Sequence, residues 1–571
     1  MSRENADRRP RSSTKSFTAI PDFHVGSAIR AGYRHGMAET DWAPTIGTRL
    51  RALLRSTPHG APRRFSERWE SFARWPPNVF AFTSLLLEES GAYRFAVSPP
   101  EGHHWPPSAK WNARVKKAAK AWRDTAARKA VPPSLVMKLG RSLRAHRSTT
   151  IDALSSGRAW KAIIALLELH AIADEACAGV GIPSQKFDPF VLDASMMLAE
   201  KDTLADVAPN TMIVLPKLRT PQAGISIRSL SQHLAAHRSE VKVRWRLADG
   251  LCPSREERLN LLVLPWPYRI EPQAFKVAPS RLDNMDPNRF GFFDFAPDAA
   301  LDCERLGKLI EEGKRRCGAV HGVVLPEGAI SEEEIASLEK CLAANGVSML
   351  VAGVRGPSKN FAHLSVRTEH EPQQSWTQHK HHRWCIDGSQ IHQYHLGTAL
   401  HPSKRWWENI EIRERELHFV AANGWLTMCH LICEDLARQE PVASVVRAVG
   451  PNLVIALLLD GPQLTERWPG RYASVLADDP GSSVLSVTSL GMSLRSWSTQ
   501  HAPSRVVALW KDPQRGAVSI ALERDHDALL LCLTAKWTRE WLADGRDDDE
   551  AAAQLVLSGV EQIREPPAAR S

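Results

Sequence analysis

The stretch HLICEDLAR, residues 430–438, places Cys433, Glu434 and Asp435 directly after the apolar pair Leu431-Ile432. A cysteine in that setting is either a buried thiol closing a strand or a nucleophile presented at a strand end. The local residues fit both. A nucleophilic cysteine needs three kinds of help from elsewhere in the chain. A base must take the thiol proton, because a free thiol is only partly ionised at neutral pH. Donors must hold the oxyanion of a tetrahedral intermediate, and a proton must reach the leaving nitrogen.

Two residues are candidates for that help. Glu327 in GVVLPEG ends an apolar run, where a carboxylate can project into a cleft with a raised pKa and accept a proton. A solvated strand-end cap is the commoner use of such a glutamate. Lys380 in TQHKHHRW stands among three histidines, in what reads as a polar, cationic pocket suited to an oxyanion or a proton relay. An ordinary surface lysine is the alternative.

From residue 258 onward strands and helices alternate. LNLLVLPWPYRI (259–270) reads as a buried strand, DAALDCERLGKLIEEGKRRCG (298–318) as an amphipathic helix and HGVVLPEG as a second strand. SEEEIASLEKCLAANG then reads as a helix and VSMLVAGVRG as a third strand. That rhythm indicates an α/β fold. Trp266 and Tyr268 in the opening segment either shape a pocket or fill core.

A Glu after VVLP, a downstream Lys and a Cys in LICED resemble the Glu-Lys-Cys set of the nitrilase superfamily, the carbon–nitrogen hydrolases. Other blocks follow in the family's order: GAVHGVVLPEG, LAANGVSMLVAGV, VGPNLVIALLLDGPQ and RWPGRYASVLADDPGSSVLSVTSLGM. The likeness covers residues 258–540. It implies a four-layer α–β–β–α sandwich, here with an N-terminal, mostly helical domain, and members that pair through their helices. It also implies Cys433 as the nucleophile forming a thioester and Glu327 as general base. Lys380 would stabilise the tetrahedral species with the backbone N–H of Glu434. Glu408 in RWWENIEI would be the second carboxylate that orients the lysine, with Asp387 as the alternative. The implied activity is hydrolysis of a non-peptide C–N bond in a small amide or nitrile, with neither metal nor cofactor.

The chain departs from the family pattern in two places. The interval from Lys380 to Cys433 is long, as though DGSQIHQYHLGTALHPSK were inserted, and Lys404 is a rival lysine nearer the cysteine. After the cysteine the usual Arg-Ala-x-Glu-Asn pattern is replaced by RYASVLADDPGSS. Cys429, His430 and Cys433 together with HKHH offer zinc-ligand types. A strand over 426–433, however, would set His430 on the face opposite the two cysteines. Neither a Gly-x-x-x-x-Gly-Lys-Ser/Thr phosphate loop nor a Gly-x-Ser-x-Gly elbow occurs.

The 571 residues, 43% apolar and 24% charged, are enough for two or three domains with a substantial core. We expect a basic, loosely ordered arm over 1–65, a basic helical domain over 66–220 and a connecting segment over 221–257. The hydrolase-like domain follows over 258–540, and 541–571 reads as a solvated helix or tail. Within the helical part, Trp111, Val115, Ala118 and Trp122 share one face, and residues 158–183 read as a buried helix. A strand, a turn and a helix are expected over 211–235, and a strand over 241–247. Residues 1–150 hold 27 Lys+Arg against 11 Asp+Glu, and the remainder 46 against 53, so the net +9 belongs to the N-terminal part. Such a skew suits a nucleic-acid or acidic protein partner; a solvated basic face is the duller alternative.

Residues around 169–183 and 214–235 are also similar to the segment joining polymerase and nitrilase parts in some bacterial defence-associated reverse transcriptases. That likeness implies a phage-defence context. Nine scattered cysteines, no apolar segment behind the basic N-terminus and no run longer than LVIALLL (453–459) lead us to expect a cytoplasmic protein with free thiols.

Overall fold

The computed structural model describes residues 44–55, 65–128, 130–177, 241–248, 257–279, 285–368, 373–423, 425–497, 502–538 and 552–566, with a few single positions besides. Most of the expected arm, and nearly all of the segment over 211–235, lie outside them. So does most of the stretch that carries the reverse-transcriptase likeness. Everything described belongs to the unit Pro44–Ser571.

Seven helices open the described chain, the longest being Pro76–Ser90, Trp111–Ala127, Ser134–Ala145 and Trp160–Ala176. Pro76-Pro77 starts the first of these, where the missing N–H groups cost nothing, and Gly91 at φ 67° ends it. Trp160–Ala176 is apolar nearly all round and is buried nearly all round, with the other three long helices packed about it. Trp111, Val115, Ala118 and Trp122 are buried on one face of their helix, while Lys117 and Lys120 stay exposed. The buried Glu168 carboxylate is paired with Arg114 at 2.8 Å.

Two seven-stranded sheets follow. The first runs, in spatial order, Lys242–Leu247, Glu416–Ala422, Leu426–Ile432, Leu453–Leu458, Ser483–Thr488, Val506–Lys511 and Val518–Ala521. The second runs Ala552–Ile563, Ala528–Thr538, Arg258–Val263, Gly322–Ser331, Met349–Gly356, Lys359–Val366 and Gln374–His379. Strand alternation decides what each sheet face meets. Val324, Val351 and Leu364 enter one apolar cluster with Val454, Leu457 and Leu485 of the first sheet. Their neighbours Val323, Leu325 and Leu350 enter another, with Leu306, Leu309 and Leu338 of the helices Cys303–Cys317 and Ile335–Ala344. Helix Trp468–Asp478 packs on the first sheet. The architecture is mixed α/β, and among the described residues no helix is long and apolar enough to cross a membrane.

Three features differ from the expectations. The connecting segment 221–257 contributes Lys242–Leu247, which pairs in parallel with Glu416–Ala422, so the sheets begin ahead of residue 258. Residues 541–571 are not a solvated helix or tail throughout, because Ala552–Ile563 is a strand antiparallel to Ala528–Thr538. Its alternating Ala553 and Leu555 bury against that sheet, a short signal standing just behind a run of acidic residues. The apparent insertion 387–404, with residues on either side of it, completes a third, four-stranded sheet: Phe275–Ala278, Phe290–Phe295, Arg405–Glu408 and Cys385–Ile386. Ile391, Tyr394, Leu396 and Leu400 of the insertion fill its core with Phe275, Phe293 and Trp406.

Candidate active site

Glu327 leaves its strand at an irregularity. The ladder between Gly322–Ser331 and Met349–Gly356 is in register up to Leu325 and resumes at Ile330, and Gly328 takes φ 63°. Such a bulge re-aims a side chain at the end of a run of paired residues. Lys380 is the first residue after Gln374–His379, and Glu408 is the last of Arg405–Glu408. Cys433 follows Leu426–Ile432 and precedes the four-residue helix Glu434–Ala437. Three separate sheets thus deliver one cluster.

Lys380 Nζ lies 2.7 Å from Glu327 Oε1 and 2.7 Å from Glu408 Oε2. Asn360 Nδ2 donates to both carboxylates, at 2.7 Å to Glu327 Oε1 and 2.6 Å to Glu408 Oε1. Leu459 N–H donates to the other Glu327 oxygen at 2.7 Å, and Trp384 N–H to Glu408 at 3.1 Å. Glu327 and Lys380 are each 1% exposed. Two carboxylates around one ammonium leave an excess negative charge in a buried place. Burial accordingly raises the Glu327 pKa, only partly offset by Lys380 and pushed further up by Glu408. Burial alone would lower the Lys380 pKa, but the two carboxylates hold the ammonium well above the usual lysine range.

Cys433 is a non-glycine residue at φ 44°, ψ −105°, a backbone strain on the order of 1–3 kcal/mol. Its N–H donates to Leu457 O at 2.8 Å, tying the turn to the neighbouring strand. The residue is 4% exposed. Burial and the Glu327 charge push the thiol pKa up, against Lys380. Cys433 therefore rests as a thiol beside a carboxylate that favours protons and a fixed cation. Glu434 pairs its side chain with Arg438.

Sequence reasoning placed Lys380 in a cationic pocket of histidines. Instead its ammonium sits between carboxylates, and of the adjoining histidine rings His382 bonds Asp435, His381 bonds the Glu416 carbonyl and His379 meets Arg413. The fully buried Asp435 carboxylate accepts the backbone N–H of His381 at 3.1 and 3.2 Å and bonds His382 Nδ1 at 2.8 Å, fastening the lysine segment to the cysteine turn. Lys404 lies over the Trp406 ring, 5.8 Å from its centroid. Asp387 caps the helix Gly388–Gln393. Neither joins the cluster. Among the described residues, no group of three or more His, Cys, Asp or Glu is placed to hold a metal ion. Asn360 was missed: beside Lys359 at the start of the strand Lys359–Val366, an amide carries no signal of its own.

A cavity of about 340 Å³ reaches Asn360, Glu408 and Leu459 and is walled by Phe293, Phe295 and Arg355. Trp266 and Tyr268 pack instead against the helix-side apolar cluster, meeting edge to face at 5.3 Å. Gly353 explains how Glu327 is seated from behind: a Cβ there would lie 2.3 Å from Glu327 Cα and 2.3 Å from Pro326 O. Backbone cannot yield as a side chain can. Gly353→Ala is thus expected to displace Glu327 and cost a few kcal/mol, about 1–3, of stability. Denaturant unfolding together with ester turnover checks this; an unchanged midpoint and rate would contradict the packing.

No protein-family model matches the chain, and no curated protein matches it. Among solved structures it is similar to an amidase from Nesterenkonia sp., at 12% identity and TM-score 0.29, over 49% of this chain and 90% of the amidase. It is also similar to a CN-hydrolase superfamily protein from Xanthomonas campestris, at 14% identity and TM-score 0.27, over 48% of this chain and 89% of that one. A third is a nitrilase superfamily member from Saccharomyces cerevisiae, at 12% identity and TM-score 0.25, over 46% of this chain and 86% of that one.

Proposed function

We propose that the chain is a carbon–nitrogen hydrolase of the amidase type, acting on a small carboxamide or nitrile through a thioester on Cys433. The observation that carries this reading is the buried Glu327–Lys380–Glu408 cluster, bonded at 2.7 Å, whose charges act on the strained Cys433. Glu327 takes the thiol proton as sulfur bonds to the acyl carbon. Lys380 and the Glu434 N–H hold the oxyanion, and Glu408 keeps the lysine in place. In a carboxamide the C–N bond then breaks as Glu327 returns the proton to nitrogen. Water, deprotonated by the same carboxylate, attacks the thioester and releases the acid and the thiol. On this reading the two sheets are the inner layers of an α–β–β–α sandwich. The exposed Lys117, Lys120, Lys138 and Arg141 of the N-terminal helices would face a nucleic-acid or protein partner. Pairing of two copies and a cytoplasmic, phage-defence setting complete the proposal.

A second reading, a non-catalytic scaffold that presents the basic helices, draws on the 4% exposure of the cysteine. An activated acyl donor separates the two. A short-chain p-nitrophenyl ester is expected to leave its acyl mass on Cys433 ahead of the other eight cysteines. Glu327→Gln should slow that step on the order of 10²–10⁴-fold. Label spread evenly over the cysteines favours the scaffold. Because the base must be ionised and burial raises its pKa, the acid limb of wild-type kcat/KM should lie above the ordinary carboxylate range near 4.5. A limb at or below that value removes Glu327 as the base.

A further inference from the structure

Asp460 directly follows Leu459, whose N–H holds the Glu327 carboxylate. Its own carboxylate is only half used. Oδ1 accepts Tyr394 O–H at 2.6 Å and Arg467 Nη2 at 2.9 Å, while the buried Oδ2 has no partner among the described residues. Asp460 is 5% exposed and Tyr394 1%. The unit is firmly built: Arg467 Nη1 donates to Pro462 O at 2.8 Å, and Thr488 Oγ1 to the Asp460 carbonyl at 2.5 Å. Asp460 also stands close enough to Cys433 for its charge to help hold the thiol protonated.

A buried carboxylate oxygen without a donor is costly, and native structures leave few of them unexplained. Arg467 already neutralises the charge, so Oδ2 calls for a neutral N–H rather than a cation. Resting on the hydrolase reading above, we propose that Asp460 is a substrate-binding residue. Its Oδ2 accepts an N–H of the scissile carboxamide, so the site takes amides that carry an N–H in preference to nitriles and N,N-dialkyl amides, which have no hydrogen to give. A site built around such a bond rejects analogues lacking it far more strongly than one that only matches shape.

The test uses the full chain and one short acyl group presented four ways: primary amide, N,N-dimethyl amide, nitrile and p-nitrophenyl ester. The wild type should prefer the primary amide over the dimethyl amide and the nitrile on the order of 10²-fold or more in kcat/KM. Asp460→Asn keeps an acceptor for Tyr394 and Arg467 but offers an NH₂ group where Oδ2 stood. It should lower the amide-to-ester ratio of kcat/KM at least about tenfold. An unchanged ratio in a folded Asp460→Asn chain means that Oδ2 holds only a water, and overturns the proposal. So does a wild type that turns over nitrile or dimethyl amide as fast as primary amide, an outcome readable even if the variant does not fold. With ester acylation of Cys433 intact, either result defeats this proposal alone. Absence of that acylation in the wild type brings down the hydrolase reading as well.

Discussion

Cys433→Ala is expected to abolish turnover of amide and ester alike, leaving less than about one part in 10⁴ of wild-type kcat/KM while the chain stays folded. The sulfur is the atom that would bond carbon, and alanine offers nothing in its place. The structural cost is small by comparison. Removing one buried heavy atom from a site that is 4% exposed forfeits about 1 kcal/mol, and alanine inherits the same strained φ of 44° rather than adding to it. Steady-state turnover and a melting curve on the same preparation check both halves. Residual activity above a few per cent would mean that another group attacks the carbonyl.

Lys380→Met carries the second large effect, and it reaches stability as well as rate. The ammonium is buried between two carboxylates at 2.7 Å each, and methionine would leave Glu327 and Glu408 facing one another with only Asn360 between them. Stripping one partner from a buried ion pair costs about 3–5 kcal/mol. The loss should depend on pH in a definite sense. Without the cation, the folded state holds the Glu327 proton more tightly than the unfolded chain does. The variant therefore keeps its stability at acid pH and loses it as pH rises through the raised Glu327 value. Denaturant midpoints of wild type and variant should converge toward pH 4 and separate toward pH 8. Parallel curves would show that Lys380 does not carry the charge balance of the site.

The parts of this arrangement visible along the chain share one property: each is a local pattern. Glu327 and Cys433 stand at the ends of apolar runs, and strand ends facing a cleft are where chemistry collects in an α/β fold. The helix Cys303–Cys317 announced itself by its apolar spacing, and Asp302 caps it. Glu408 was named only through a family likeness, because the Arg405–Glu408 strand exists by pairing with Phe290–Phe295, more than a hundred residues earlier. Asn360 and Asp460 were invisible for a different reason. A lone amide in a strand and an acid beside a glycine look like ordinary surface groups until neighbouring sheets close over them. Ala552–Ile563 was likewise obscured by the acidic run before it, whereas a strand over 241–247 was legible but its pairing with Glu416–Ala422 was not.

The parallel pairing of Lys242–Leu247 with Glu416–Ala422 bears on how the molecule can be divided. Residue 258 looks like a natural place to cut, but cutting there would strip the outermost rungs from a seven-stranded ladder. A row of N–H and C=O groups on Glu416–Ala422 would be laid bare, directly beside the strand Leu426–Ile432 that Cys433 follows. Bare rows of that kind recruit other chains into their sheets. The amino-terminal stretch thus doubles as a guard rail, and half-molecules made at that point should be sticky rather than simply smaller.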